Sequence, residues 1–322
     1  MAAERDILQR LIAGPVSGDV LAREAGLTRA AMWKRVQALR DAGVEIDAQA
    51  GRGYALRQAL ELLDDAQIMD ALPPDVRAGM ASLDIAWSID STNSELLRRE
   101  TPAHGVAGLL AERQTGGRGR RGKHWASPLA AHVYLSVARQ FSGGLSRLGG
   151  LSLVAGVAVV EALHQAGYQN VQLKWPNDLV MAGRKLGGLL VEGGGEHAGP
   201  VRAVIGLGLN VRMPEAIAAG IDQPWVDLSQ LAAAPPSRNA LAAALLSHLL
   251  PALDQFDAEG LAPFLPRYAC FDALVGRDVC LHLGGNIESG TALGVADDGA
   301  LRVRVAGVEK VFHAGEVSVR PR

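Results

Sequence analysis

The residues best suited to chemistry lie in one run, Gln114-Thr115-Gly116-Gly117-Arg118-Gly119-Arg120-Arg121-Gly122-Lys123-His124-Trp125. Three arginines and a lysine fall within six residues, interleaved with glycine. Glycine lets a backbone approach a ligand closely, and guanidinium forks clamp carboxylate and phosphate. Cations this close repel one another until an anion arrives, so the sequence predicts a loop that is mobile when empty and ordered when filled. Gly117, Gly119 and Gly122 also spell a formal G-x-G-x-x-G. A dinucleotide fingerprint needs a helix next and an acidic residue about 20 positions on. Ser127-Pro128 and the strand-like Val133-Tyr134-Leu135 follow instead, which sets that reading aside.

A second cluster is Lys174-Trp175-Pro176-Asn177-Asp178. Proline cannot sit in an uninterrupted central strand, so Asn177 and Asp178 are offered at a strand end. After a tight turn at Ala182-Gly183 comes Arg184-Lys185-Leu186-Gly187-Gly188, where a lysine beside strand-opening glycines suits a phosphate-bridging cation. A plain hairpin would explain the same turn, but not its pairing with the arginine loop.

The elements that must position these groups fall into three segments, with expected boundaries at 1–64, 65–270 and 271–322. The first reads as three helices and a hairpin. Ile7, Leu8, Leu11 and Ile12 recur at helical spacing and Gly14-Pro15 ends that helix. Ser17 and Thr28 are N-caps for two further helices, the second with an apolar face of Met32, Val36 and Leu39 and a left-handed end at Gly43. Val44 and Ile46 alternate with Glu45 and Asp47, and after Gly51-Arg52-Gly53 the residues Tyr54 and Leu56 alternate back. This is a helix-turn-helix with a wing, whose third helix presents Arg29, Trp33, Lys34 and Arg35 for phosphates and base edges. A protein-interaction module would have the same pattern.

The second segment alternates apolar strands, at Val133–Val137, Val171–Leu173, Leu186–Val191 and Ala203–Val211, with helices such as Leu151–Ala166. The third reads as short strands separated by turns at Gly284-Gly285-Asn286, Asp297-Asp298-Gly299 and Ala306-Gly307, a small β-barrel.

Composition agrees with several globular domains, since 322 residues exceed one ordinary core and apolar residues make up 48%. The net charge of −2 gives no general attraction for nucleic acid. Residues 1–60 carry nine basic against seven acidic side chains, which permits DNA binding without demanding it. No apolar stretch reaches the ~20 residues of a bilayer crossing and the N-terminus lacks a secretory pattern, so a cytoplasmic, non-membrane protein is expected. Cys270 and Cys280 have no zinc-ligand spacing and are expected to be buried or idle thiols.

Taken together and in order, the Gly117–Trp125 loop, Lys174–Asp178 and Arg184–Gly188 resemble the motifs of biotin protein ligases. Ser91-Thr92-Asn93 upstream and Gly206-Leu207-Gly208-Leu209-Asn210 downstream extend the resemblance. With the helix-turn-helix in front, the chain is similar to the bifunctional ligases that also repress the biotin operon. The resemblance implies an α+β fold: a winged helix-turn-helix, a central mixed-sheet α/β domain like that of class II aminoacyl-tRNA synthetases with helices on one side, and an SH3-like barrel. It implies that Ser91, Thr92, Asn93, Gln114, Arg118, Gly119, Arg120 and Lys185 bind biotin or its activated carboxyl. Lys185, Asn210, Trp225 and Arg320 would then contact ATP or the adenylate, Trp225 by stacking. Thr92 with Glu95 three residues later is equally a helix capping box.

The implied reaction joins biotin to ATP as biotinoyl-5′-adenylate, then passes it to a lysine of the biotin carboxyl carrier protein of acetyl-CoA carboxylase. Arg118, Arg120, Lys185 and Mg2+ would stabilise charge at phosphorus. Asp178 would orient or deprotonate the carrier lysine, or serve structurally as a partner of Lys174 or of backbone amides. Operator DNA and a ligand-promoted homodimer are the further partners implied. The other readings are a transcription factor without turnover and a lipoyl-transferring enzyme, whose relatives lack this form of arginine loop.

Overall fold

In the computed structural model of the chain, the described residues are 2–49, 53–142, 144, 148–195, 201–231, 236–283, 286–314 and 318–321. Three helices open it, α1 (Ala2–Ile12), α2 (Gly18–Glu24) and α3 (Arg29–Asp41), followed by β1 (Ile46–Gln49) and β2 (Gly53–Leu56). Ser17 and Thr28 cap α2 and α3, accepting from Val20 and Ala31 N–H. Met32, Val36 and Leu39 are buried, as their spacing requires, with Ile7, Leu8, Leu11 and Leu21. β1 and β2 pair antiparallel, and Gly51 and Arg52 of the expected turn lie outside the described residues.

This small core is shared with the next domain. Leu129 and Ala130 are buried in it, and Leu129 N–H donates to Ala42 O at the end of α3. Gly43 has φ +99, and a Cβ there would meet Pro128 Cβ at 2.8 Å. Both the backbone and the close approach therefore require glycine.

The connection runs through α4 (Asp65–Ala71) and α5 (Pro74–Gly79) into β3 (Met80–Ala86), α6 (Thr92–Arg98), β4 (Val106–Ala111) and β5 (Val133–Phe141). Then come α7 (Leu151–Gln165), β6 (Gln172–Lys174), β7 (Asp178–Met181), β8 (Arg184–Gly195), β9 (Val201–Leu209), α8 (Glu215–Ala218), α9 (Arg238–Glu259) and α10 (Leu265–Phe271). The strands form one seven-stranded sheet in the order β3-β4-β5-β9-β8-β7-β6, parallel only between β3 and β4. The two long helices pack together on one face, where Val133, Leu135 and Val137 of β5 and Ala203, Ile205, Leu207 and Leu209 of β9 join their core. Strand alternation sends Ser136, Val204, Gly206 and Gly208 to the other face, which carries only the short α6.

A buried ion pair ties these pieces together. Arg238 and Glu112, each at most 4% exposed in the side chain, meet at 2.8 Å. Glu112 also accepts from Leu63 N–H at 2.6 Å, and Arg238 donates to the carbonyls of His132 and Glu61. Linker, sheet and α9 thus meet at one charge pair.

The last five strands, β10 (Asp278–Leu283), β11 (Asn286–Val295), β12 (Leu301–Val305), β13 (Val308–Phe312) and β14 (Ser318–Pro321), form an antiparallel sheet ordered β13-β12-β11-β10-β14. No ladder closes β13 onto β14 among the described residues, so the expected small barrel is present as an open five-stranded sheet. Gly284 and Gly285 lie outside those residues. Of the two cysteines, expected to be buried or idle thiols, Cys270 is exposed and Cys280 half-buried, and both are free. No described helix is long and apolar enough to cross a membrane.

Candidate functional site

The open sheet face is cleared by two glycines. A Cβ at Gly206 would lie 2.2 Å from Asn93 Oδ1, and one at Gly208 would lie 2.6 Å from the Trp125 ring. The Gly-x-Gly of β9 thus gives one slot to the N-terminus of α6 and one to the indole that ends the arginine loop. Gly187 belongs to the opposite, helix-packed face, where a Cβ would meet Gly208 O at 2.7 Å and Leu179 Cδ1 at 2.9 Å.

Ser91, Thr92 and Asn93 are all buried. Ser91 is the N-cap of α6, its hydroxyl facing Ser94 N–H at 3.4 Å, and Glu95 bonds Arg98 and Arg99 instead of reaching back. The capping box centred on Thr92 is therefore replaced by a cap one residue earlier, which leaves Thr92 inside the helix and turned to the sheet. Its N–H and hydroxyl donate to Gln114 Oε1 at 2.9 and 3.1 Å. Ser136 Oγ lies 2.7 Å from Thr92 Oγ1 and 2.6 Å from Asn93 Oδ1. Asn93 Nδ2 donates to Glu192 Oε2 at 2.8 Å and to Leu190 O at 3.1 Å.

The arginine loop is folded against this network. Gly119 N–H donates to Lys123 O and Trp125 N–H to Gly117 O, and Arg121 and Gly122 take φ of 57° and 71° to turn the chain. The chain supplies acceptors of its own for two of the loop's cations. Arg118 donates to Glu192 at 2.9 and 3.1 Å, while Arg120 reaches Asn177 Oδ1 at 3.3 Å and the carbonyl of Ala314, in the turn after β13. Burial, reinforced by Arg121, lowers the Arg120 pKa. Ser127-Pro128 and β5 follow the loop, with no helix, as expected.

Lys185 and Asp178 sit at the neighbouring edge. β6 stops at Lys174, the Trp175–Pro176 bond is cis, and β7 begins at Asp178. Asp178 Oδ1 lies 2.7 Å from Lys185 Nζ, and its Oδ2 lies 3.8 Å from Lys174 Nζ. The ammonium of Lys185 also stands 5.5 Å from the centre of the Trp125 ring. Trp225 is brought beside it by backbone pairing, Lys185 N–H to Pro224 O and Val226 N–H to Lys185 O. Asn210 is buried and donates to Val226 O at 3.2 Å. The side chain of Arg320, on β14 opposite Cys280, lies outside the described residues.

The Gly193-Gly194-Gly195 end of β8 pairs with β9, whereas β7 accompanies β8 only as far as Gly188. Its other edge is unpaired with any strand among the described residues. In the first domain Arg29, Trp33, Lys34 and Arg35 are exposed along α3. Arg29 pairs with Asp19 and Arg35 with Glu4. Among the described residues no group of three or more His, Cys, Asp or Glu could hold a metal.

Sequence reasoning missed Glu192, Ser136 and the pairing of Lys185 with Asp178. The signal for the first two was a polar residue flanked on both sides by apolar or glycine neighbours within a strand.

Residues 86–210 match the model of the biotin/lipoate A/B protein ligase family, residues 4–55 an HTH domain and residues 275–320 the biotin protein ligase C-terminal domain. The chain is 38% identical over 304 residues to the bifunctional ligase/repressor BirA of Escherichia coli, covering 94% of this chain and 92% of that one. It is 35% identical over 264 residues to the biotin–[acetyl-CoA-carboxylase] ligase of Mycobacterium tuberculosis, covering 79% and 95%. Among solved structures, a biotin protein ligase from Aquifex aeolicus in complex with biotin and ATP superposes with a TM-score of 0.64 at 25% identity, covering 75% of this chain and all of that one.

Proposed function

The chain belongs to the biotin protein ligase family, in the branch that carries a repressor domain, and from that premise we propose how its residues divide the work. It activates biotin with ATP and transfers it to a carrier-protein lysine, and it represses transcription through the winged helix. The single observation that carries the ligase reading is the convergence, on one glycine-cleared sheet face, of the arginine loop, the Lys185–Asp178 pair and Asn210.

Two anions must meet on that face. A carboxylate oxygen of biotin attacks the α-phosphorus of ATP, a P–O bond forms, and pyrophosphate leaves with the electron pair of the bond that breaks. Little covalent chemistry falls to the protein, so its contribution is fixed positive charge in a site from which water is excluded. Lys185 supplies that charge at phosphorus, held in place by Asp178 and by the Trp125 face. The 2.7 Å contact favours this orienting role for Asp178 over that of a base toward the carrier lysine. Thr92, Asn93 and Gln114 offer the directional hydrogen bonds that a neutral ring such as that of biotin needs, with Ser91 fixing the helix that carries two of them. Gly119 keeps the loop backbone close, and Arg118 and Arg120 close it over the adenylate. Asn210, Trp225 and Arg320 serve the adenylate end. A magnesium ion, if bound, would be held mostly by the triphosphate and water, with no cluster of metal ligands of this chain among the described residues, and would add positive charge beside that of Lys185. In the second step the carrier lysine attacks the acyl carbon, AMP departs, and the amine proton passes to solvent.

On the DNA side, Arg29, Trp33, Lys34 and Arg35 face outward as a recognition helix requires. A two-fold operator needs two copies, and the free edge of β8 near Gly193-Gly194-Gly195 is the surface we assign to a ligand-promoted homodimer. The division into 1–64, 65–270 and 271–322 and a cytoplasmic setting belong to the same reading.

The purified chain should exchange labelled pyrophosphate into ATP only with biotin present, and label a biotin carboxyl carrier domain. Exchange driven by lipoate instead would overturn the ligase assignment. Operator affinity in a gel shift should rise with biotinoyl-adenylate, and equal affinity with and without it would remove the repressor assignment.

A further inference from the structure

Glu192 is a carboxylate that accepts directly from the arginine loop. It sits on β8 opposite Val204, its side chain 28% exposed. Both of its recorded partners are donors of this chain: Arg118 Nη2 at 2.9 and 3.1 Å, and Asn93 Nδ2 at 2.8 Å. A carboxylate is a poor ligand group in a site built for a carboxylate and a triphosphate, since like charge repels both. What it can do there is hold a cation. The hydrogen-bonded series runs Arg118, Glu192, Asn93, Ser136, Thr92, Gln114, so it leaves the loop at Arg118 and returns to its first residue at Gln114. The middle of the series is anchored on α6 and the sheet.

We propose that Glu192 is the latch of the arginine loop, a positioning residue that keeps the loop shut through Arg118. The proposal rests on the ligase reading for its consequence, retention of the adenylate, but not for the latch itself. Glu192 also lies on the edge of β8 that β7 leaves unpaired after Gly188, directly before Gly193-Gly194-Gly195, so the state of the loop is registered next to the surface assigned to dimerisation.

Glu192→Gln tests this, because glutamine keeps an acceptor for Asn93 while removing the charge that holds Arg118. In the full chain without ligand, trypsin should cut after the exposed Arg121 and Lys123 about two- to fivefold faster, the factor for a partly exposed ion pair. Release of a non-hydrolysable biotinoyl-adenylate analogue should quicken by a similar factor, with the global unfolding temperature unchanged. The difference should shrink in 1 M salt, where the screening length falls to ~3 Å. Glu192→Ala should behave likewise, and Glu192→Asp should restore part of the effect. The proposal falls if cutting or release is unchanged in Glu192→Gln, or if either slows, as it would were Glu192 a competitor that ligand must displace from Arg118. If the unaltered chain binds no analogue, the ligase reading fails while the cutting rates still judge the latch.

Discussion

Replacing His132 with asparagine should remove most of the acid sensitivity of the fold between pH 7.5 and 5.5. His132 is fully buried at the start of β5, where its Nδ1 accepts from Val211 N–H at 3.1 Å. The ring proton therefore sits on Nε2, which is buried and has no partner among the described groups. Burial, with Arg238 and Arg212 nearby, pushes its pKa down from 6.5 to about 3. The folded chain thus keeps the ring neutral while the unfolded chain protonates it below pH ~6.5. Stability from this group is complete above pH ~6.5 and is lost as pH falls toward the folded value. The loss is about 1.4 kcal/mol at pH 5.5 and about 2.7 kcal/mol at pH 4.5, since each pH unit in that window is worth ~1.36 kcal/mol. Asp90, held down to about 2 by Arg98, contributes in the same direction only below its unfolded pKa of 3.8. Asp272 has the opposite sign, because burial raises its pKa, and both terms cancel between variant and parent. Asparagine can still accept the Val211 N–H, at a pH-independent cost of about 1–3 kcal/mol for the lost ring. Urea unfolding at pH 7.5, 6.5 and 5.5 reads the difference. If the parent and His132→Asn lose stability in parallel over that range, His132 is not the buried neutral group described here.

Two other substitutions probe separate links. Glu112→Gln leaves Arg238 buried beside a neutral partner and should destabilise the fold by about 3–5 kcal/mol in chemical unfolding, whereas Glu112→Gln with Arg238→Met should recover much of it; additive losses would contradict the pairing. Lys185→Ala should slow adenylate formation in a single-turnover assay far more than it weakens biotin binding by calorimetry, and equal losses in both would place Lys185 in binding alone.

Local signals made the winged helix legible. Ser17, Thr28 and Gly43 each announce a helix end by residue type, and Met32, Val36 and Leu39 mark the buried stripe. The motifs of the site were legible for a similar reason, since glycine, arginine and proline in short runs have few structural uses. Helix α9 left no such trace: apolar residues all round it, with Pro251 inside, give no period to read. Strands β3 and β4 likewise went unread. Glu192 meets Arg118 across 74 residues, and Ser136 meets Thr92 across 44. Those contacts follow from strand order, with β9 between β5 and β8, which no local pattern encodes. The counter-groups of the loop went unseen for the same reason, being distant in sequence.

Arg120 donates to the carbonyl of Ala314, and Trp175 Nε1 donates to Gly299 O at 3.0 Å. Both acceptors lie C-terminal to every strand of the seven-stranded sheet. A nascent or prematurely terminated chain that stops short of Gly299 carries the whole arginine loop yet lacks both acceptors. Such a product should hold an adenylate poorly and leak it to bystander amines. The C-terminal segment therefore supplies acceptors that hold both the arginine loop and the Trp175 indole.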